Sequence, residues 1–211
     1  MAQASSTTLT VKDSTGATAT MSLIADPNNS SAKASKVVVD EALNAKDTFA
    51  TGANSFTLPA TPTDVIEIKG SATKTVRIKK IILSGVASTA KQWPVKIIRR
   101  VSSIADGVAV TAVATKFDTS DPAATAVARH FTTLGTLVAA NPENSVLFAA
   151  DMTLTAPATA TAPLVFDFSR NMDKALVLRG AADCIVINLG GGALAAGEKL
   201  SWSCEWEEDL S

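Results

Sequence analysis

His130 is the only imidazole in 211 residues, beside two cysteines (Cys184 and Cys204) and no tyrosine. Any Ser-His-Asp or Cys-His nucleophilic site would therefore have to use His130. No serine or cysteine stands near it in a recognisable nucleophile motif, and its neighbour is Arg129. It reads as a surface or interface residue. A multi-His metal site and a four-Cys zinc site are excluded by the count. Cys184 and Cys204 fall on neighbouring expected strands, so a bridge is conceivable. In a reducing compartment two small buried hydrophobes is the simpler reading. Gly190-Gly191-Gly192 comes after a strand, as phosphate loops do, but lacks Gly-Lys-Ser/Thr and a helix beyond it. It reads as a turn. Twenty carboxylates are present, but no local context marks a pair for acid–base work. The chain reads as a non-enzyme with no cofactor and no metal.

Trp202 and Trp206 alternate with Ser203 and Glu205 on either side of Cys204. Exposed, they would make a sugar-stacking platform; flanked by Leu200 and Cys204, they read as core. Charge is distributed unevenly. From Lys69 to Arg100 there are nine basic residues and no acidic one, whereas the C-terminal end carries Glu205, Glu207, Glu208 and Asp209. A basic strip can bind nucleic acid, but such sheets interleave exposed aromatics, and this stretch has only Trp93. The strip, with Lys74, Arg77, Lys79, Lys80, Lys96, Arg99 and Arg100 as its candidate contact residues, reads instead as complementary contacts. These would lie between strands or subunits, or with an acidic partner.

The elements that must carry these residues are β-strands. Candidate strands cover 64–69, 75–84, 94–101, 108–117, 124–133, 146–154, 163–168, 175–179, 184–189 and 199–207, separated by turn signals such as Asp106-Gly107 and Asn141-Pro142. This spacing, without alternating amphipathic helices, predicts an all-β antiparallel sandwich or barrel. In 199–207, Leu200, Trp202, Cys204 and Trp206 share one face at period two. Strands 175–179 and 184–189 carry apolar residues on both faces, which predicts a central position or a subunit interface. The stretch 121–133 is compatible with either a capped helix or a strand, and its β-branched residues favour the strand.

Residues 1–62 differ in composition from the remainder of the chain: they are rich in Ser, Thr, Ala, Asn and Asp. Thr8–Lys12 and Thr18–Ile24 read as a hairpin around Asp13-Ser14-Thr15-Gly16. Asp26–Ser31 reads as a loop, Lys36–Ala45 as either strand or short helix, and Ser55–Leu58 as a short strand. The expected division is an arm or small β domain at 1–62 and a sandwich at 63–211. Net charge is -1, which recruits neither nucleic acid nor membrane. The opening MAQASSTTLTVKD lacks the basic and apolar regions of a signal peptide. No apolar run reaches the roughly 18 residues of a transmembrane helix.

Four segments, ATKTVRIKKIILSG (72–85), PVKIIRR (94–100), FDTSDPAATAVARHFTTLGTLV (117–138) and LRGAADCIVINLGGGALAAGEKLSWSCEWEE (178–208), resemble a group of tailed-bacteriophage virion proteins, the capsid decoration (cement) or head-fibre-like proteins. The resemblance implies a jelly-roll-type sandwich, a homotrimer, and a place on the virion capsid surface after assembly in the host cytoplasm. The major capsid protein is the implied partner, and no catalytic residues carry over. The N-terminal region resembles the variable arm of such proteins. Leu9, Val11, Met21, Leu23 and Ile24 are its candidate capsid or inter-subunit contacts. An alternative is a head- or tail-fibre adhesion module that binds a receptor or glycan through a tryptophan-bearing groove.

Overall fold

A computed structural model describes residues 6–12, 18–24, 46–136, 145–154, 162–169, 176–194 and 197–210. The chain divides into two compact units, residues 1–45 and 46–211. In the first, β1 (Ser6–Lys12) pairs antiparallel with β2 (Thr18–Ile24), with Leu9 opposite Met21 and Thr7 opposite Leu23. This is the expected hairpin. The expected Asp26–Ser31 loop and the Lys36–Ala45 element lie outside the described residues.

The second unit is all β. Its strands are β3 (Asp47–Thr57), β4 (Asp64–Lys69), β5 (Lys74–Val86), β6 (Lys91–Arg100), β7 (Val108–Thr111), β8 (Thr115–Lys116), β9 (Val127–Thr133), β10 (Val146–Leu154), β11 (Leu164–Asp167), β12 (Leu176–Arg179), β13 (Cys184–Asn188) and β14 (Lys199–Leu210). They form two antiparallel sheets packed face to face as a sandwich. The first has the order β10-β6-β13-β4-β9-β7, the second β11-β5-β14-β3-β8, with β12 also pairing β5. β3 runs in register with β14 from Asp47 to Thr57. The sandwich therefore begins near residue 46, earlier than the expected boundary at 62/63.

The core arises from period-two burial. Val95, Ile97, Ile66, Ile68, Ile185 and Ile187 of the first sheet meet Ile78, Ile81, Leu83, Leu200, Trp202, Cys204 and Trp206 of the second. The run RIKKI (77–81) keeps its two isoleucines inward through a bulge. Glu205 opposes Lys80 and Trp206 opposes Ile78, so Lys79 is the extra residue and Ile78 and Ile81 both reach the core.

β13 is buried on both faces because it is central and its second face is covered. There Val186 packs with Ile98, Phe131 and Ile104, the last in the segment just past β6. That segment closes onto the sheet at Gly135, where a Cβ would lie 2.0 Å from the Ala105 carbonyl; only glycine permits the approach.

Candidate interaction surfaces

The basic strip lies mainly on β5 and β6, and the acidic C-terminal stretch lies on β14 beside β5. Antiparallel register sets them opposite each other: Glu205 faces Lys80, Glu207 faces Arg77 and Asp209 faces Thr75. The resulting ion pairs are Arg77–Asp209 at 2.7 Å, Lys79–Glu207 at 2.7 Å, Lys80–Glu205 at 3.5 Å, and Lys74 with Asp47. On β6, Arg99 pairs with Asp183, and Arg100 with Asp64 at 2.8 Å. Of the seven candidate contact residues, only Lys96 has no carboxylate partner among the described residues. The complementary contacts expected of the strip are thus made between strands of one chain. The partly exposed pairs are worth about 0.2–1 kcal/mol each, so they set strand register more than stability.

Two polar clusters are buried. The Arg100 guanidinium donates to Asp64 Oδ2 from Nε (3.1 Å) and from a terminal nitrogen (2.8 Å). Asn188 Nδ2 donates to Asp64 Oδ1 (2.6 Å) and its own oxygen accepts the Gly190 N–H (2.8 Å). The Gly190 turn is therefore fastened to the sheet, and Gly190 and Gly191 sit at φ 77° and 75°. The triple-glycine run is a turn, as expected. In the second cluster, Glu67 accepts from Ser103 Oγ (3.1 Å), the Ile104 N–H (2.9 Å) and Arg129 Nε (2.5 Å). This holds the covering segment in place.

Glu208, 1% exposed, accepts the backbone N–H groups of Thr125 (3.0 Å) and Ala126 (2.8 Å), the Thr125 hydroxyl (2.7 Å) and Trp206 Nε1 (3.1 Å). Burial pushes its carboxyl up, but the hydrogen bonds from Thr125, Ala126 and Trp206 outweigh it and hold the group below its ordinary value. They also explain why β9 starts at Val127 rather than 124: the preceding N–H groups serve Glu208, not a strand partner.

His130 contradicts its expected surface position. It is 6% exposed, stacked on Phe56 at 4.3 Å between centroids and edge-on to Trp202 at 6.5 Å. Period two on β9 sends Arg129 outward and His130 inward. Burial holds its pKa below the ordinary value, and its Nδ1 finds no partner among the described residues. Cys184 and Cys204 are both free and buried. They sit in different sheets, not on neighbouring strands. Burial, with Glu67 and Asp183 adding, pushes the Cys184 thiol up to about 12, and burial pushes Cys204 up as well. Neither thiol is an activated nucleophile. Trp93, Trp202 and Trp206 are all buried.

Among the described residues, exposed large apolar side chains gather mainly at the lateral ends of the sheets. At one end β10 and β11 lie side by side, joined by Phe148 against Phe166 (6.4 Å) and Phe168 (5.1 Å). Val146, Leu147, Phe148 and Val165 are exposed there. At the other end, the β7–β8 connection and the ends of β8 and β9 expose Val108, Val110, Val113 (85%), Phe117 (64%) and Val127. Val101, just past β6, is the remaining large apolar side chain exposed among the described residues. β10 is a nine-residue edge strand whose exposed charge, Asp151, lies in its second half, while the bulge at Leu147 and its neighbours Val146 and Phe148 present apolar side chains.

Sequence reasoning did not single out these residues. The signal was available in Val146-Leu147-Phe148, an apolar run without alternation. Leu9, Val11, Met21, Leu23 and Ile24 take their places in β1 and β2. Among the described residues, no three His, Cys, Asp or Glu side chains group as metal ligands, and no helix is long and apolar enough to cross a membrane. The chain matches no family model, no curated protein and no solved structure.

Proposed function

We propose that this protein is a virion structural protein of the capsid decoration (cement) type. It would bind the outer capsid shell as a homotrimer and stabilise the shell by bridging major capsid subunits. The observation that carries the reading is that, among the described residues, every exposed large apolar side chain but Val101 gathers at one of two opposite ends of the sandwich. A ring of copies joins one end to the other and covers both. The four segments resembling tailed-phage virion proteins supply the setting, and the separate N-terminal unit supplies a capsid anchor. Three anchors on one trimer act together, so weak individual contacts give firm attachment. The buried tryptophans weigh against the adhesion-module alternative, which needed them at the surface.

Co-sedimentation with undecorated capsid shells tests this. The full chain should pellet with the shells, and a chain lacking residues 1–30 should remain an assembled sandwich but stay in the supernatant. Equal pelleting of the truncated chain would remove the anchor from the account.

A further inference from the structure

Three side chains from three neighbouring strands meet at one end of the second sheet. Lys74 is the first residue of β5, Asp47 is the first residue of β3, and Glu208 lies near the end of β14, the strand between them. Glu208 stands directly opposite Asp47 in register. Lys74 Nζ touches Asp47 Oδ2 and lies 3.8 Å from Glu208 Oε2; the side chains are 12%, 22% and 0% exposed. Two residues along the same strands Phe49 and Trp206 stack at 5.7 Å, and Trp206 Nε1 fixes one Glu208 oxygen. Ser71 Oγ accepts the Lys74 N–H at 3.0 Å and its hydroxyl pairs with Thr125 Oγ1 at 2.7 Å, whose own proton goes to Glu208, tying the start of β5 to the segment that grips Glu208.

A surface ion pair needs only two of these groups. The third is a fully buried carboxylate, held in a fixed position beside the pair. An amine, a carboxyl group in contact with it and a positioned proton carrier are the parts that amide formation requires. We propose that Lys74 and Asp47 condense to a side-chain amide that cross-links β5 to β3, with Glu208 carrying the proton.

A proton first passes from the Lys74 ammonium to the Asp47 carboxylate within the pair, leaving a neutral amine and a carboxylic acid. The Nζ lone pair attacks Asp47 Cγ. Glu208 accepts a proton from Nζ and returns it to the departing hydroxyl; the Cγ–O bond breaks and water leaves. One amine and one carboxylic acid give one amide and one water, and no other reactant is needed. Between free partners in water, amide formation is unfavourable. Holding the two groups in contact supplies an effective concentration of about 10⁵ M or more, and the folded sheet retains the product. The bond would fasten the first strand of the sandwich across its last, where a pull on residue 46 would otherwise begin to peel the sheet. This inference stands independently of the capsid reading.

Intact-mass measurement of the denatured full chain tests it, with the Lys74→Arg variant as reference. Arginine keeps the ion pair and the fold but does not condense. The native chain should be lighter than its sequence by one water, and digestion should release one branched peptide containing both Lys74 and Asp47. Lys74→Arg should show its full sequence mass. Asp47→Asn should condense with loss of ammonia instead of water, and Glu208→Gln should slow or abolish the loss. A native chain at full sequence mass after prolonged incubation in the folded state would overturn the proposal. So would the same loss of water in Lys74→Arg.

Discussion

On β5 and β14 opposite charges face each other along the ladder: Lys79 meets Glu207, Lys80 meets Glu205 and Arg77 meets Asp209. On β10 three consecutive apolar residues stand exposed with no such partners, and Val113 and Phe117 do the same at the far end. The two regions belong to one sandwich and differ in what completes them. The middle is completed by the chain itself, through side chains more than a hundred residues apart in sequence. The ends present apolar surface and open strand edges that another chain can complete. A conspicuous charge run thus need not mark an interface, whereas an inconspicuous apolar edge can.

The largest effect is expected in the middle of the sandwich. Arg100 is fully buried against Asp64, which is 2% exposed. Arg100→Ala leaves that carboxylate buried without its cation, and unfolding in denaturant should show a loss of about 3–5 kcal/mol. A loss below about 1 kcal/mol would mean that the middle is not self-completed at this point.

Acid should act on the middle next. Glu208 has a folded pKa below the ordinary 4.5, so it stabilises the fold above 4.5 and loses that contribution as pH falls through its folded value. His130 has a folded pKa below 6.5, so the unfolded chain binds the extra proton, and stability falls as pH drops below about 6.5. Both signs agree: stability should decline monotonically from neutral pH into the acid range. His130→Phe should flatten the upper part of that decline in a thermal-melt series. A melting temperature that rises on going from pH 7 to pH 5 would contradict the burial of His130, and one that rises on going below pH 4.5 would contradict the hydrogen-bonded state of Glu208.

Weaker still is the outer ladder. Arg77 is 31% exposed at its side chain, and Arg77→Ala should cost about 0.2–1 kcal/mol, less at high salt.

The strands of the sandwich were legible where alternation is uninterrupted. β14 announced itself through Leu200, Trp202, Cys204 and Trp206, β4 through the turn signal Gly70-Ser71 that follows it, and β10 through Asn141-Pro142 that precedes it. β3 was not legible beyond its last residues. Its run passes through Gly52 and a bulge at Asn54-Ser55, where Ser55 takes φ 50°, so the period breaks and the segment looks like a loop. β9 is shortened by Glu208, a residue far along the chain that takes up the preceding backbone donors. His130 was not legible as core because its neighbour Arg129 suggests a surface, although alternation sends the two to opposite faces. The ion pairs of the basic strip were legible as a charge imbalance, but their partners are set by sheet order, which no local pattern states. The edge residues were the least legible, because an exposed and a buried valine look alike until the order of the strands is known.

The account rests most heavily on the ends of the sandwich being contact surfaces between copies, and the solution mass of the full chain tests this directly. Analytical ultracentrifugation should find a trimer. Val165→Asp at one end and Val113→Asp at the other should each give a folded monomer, because a substitution at an exposed position changes the stability of the fold itself by only about 0.5 kcal/mol. A native chain that sediments as a monomer at all concentrations, or a trimer indifferent to both substitutions, would contradict it.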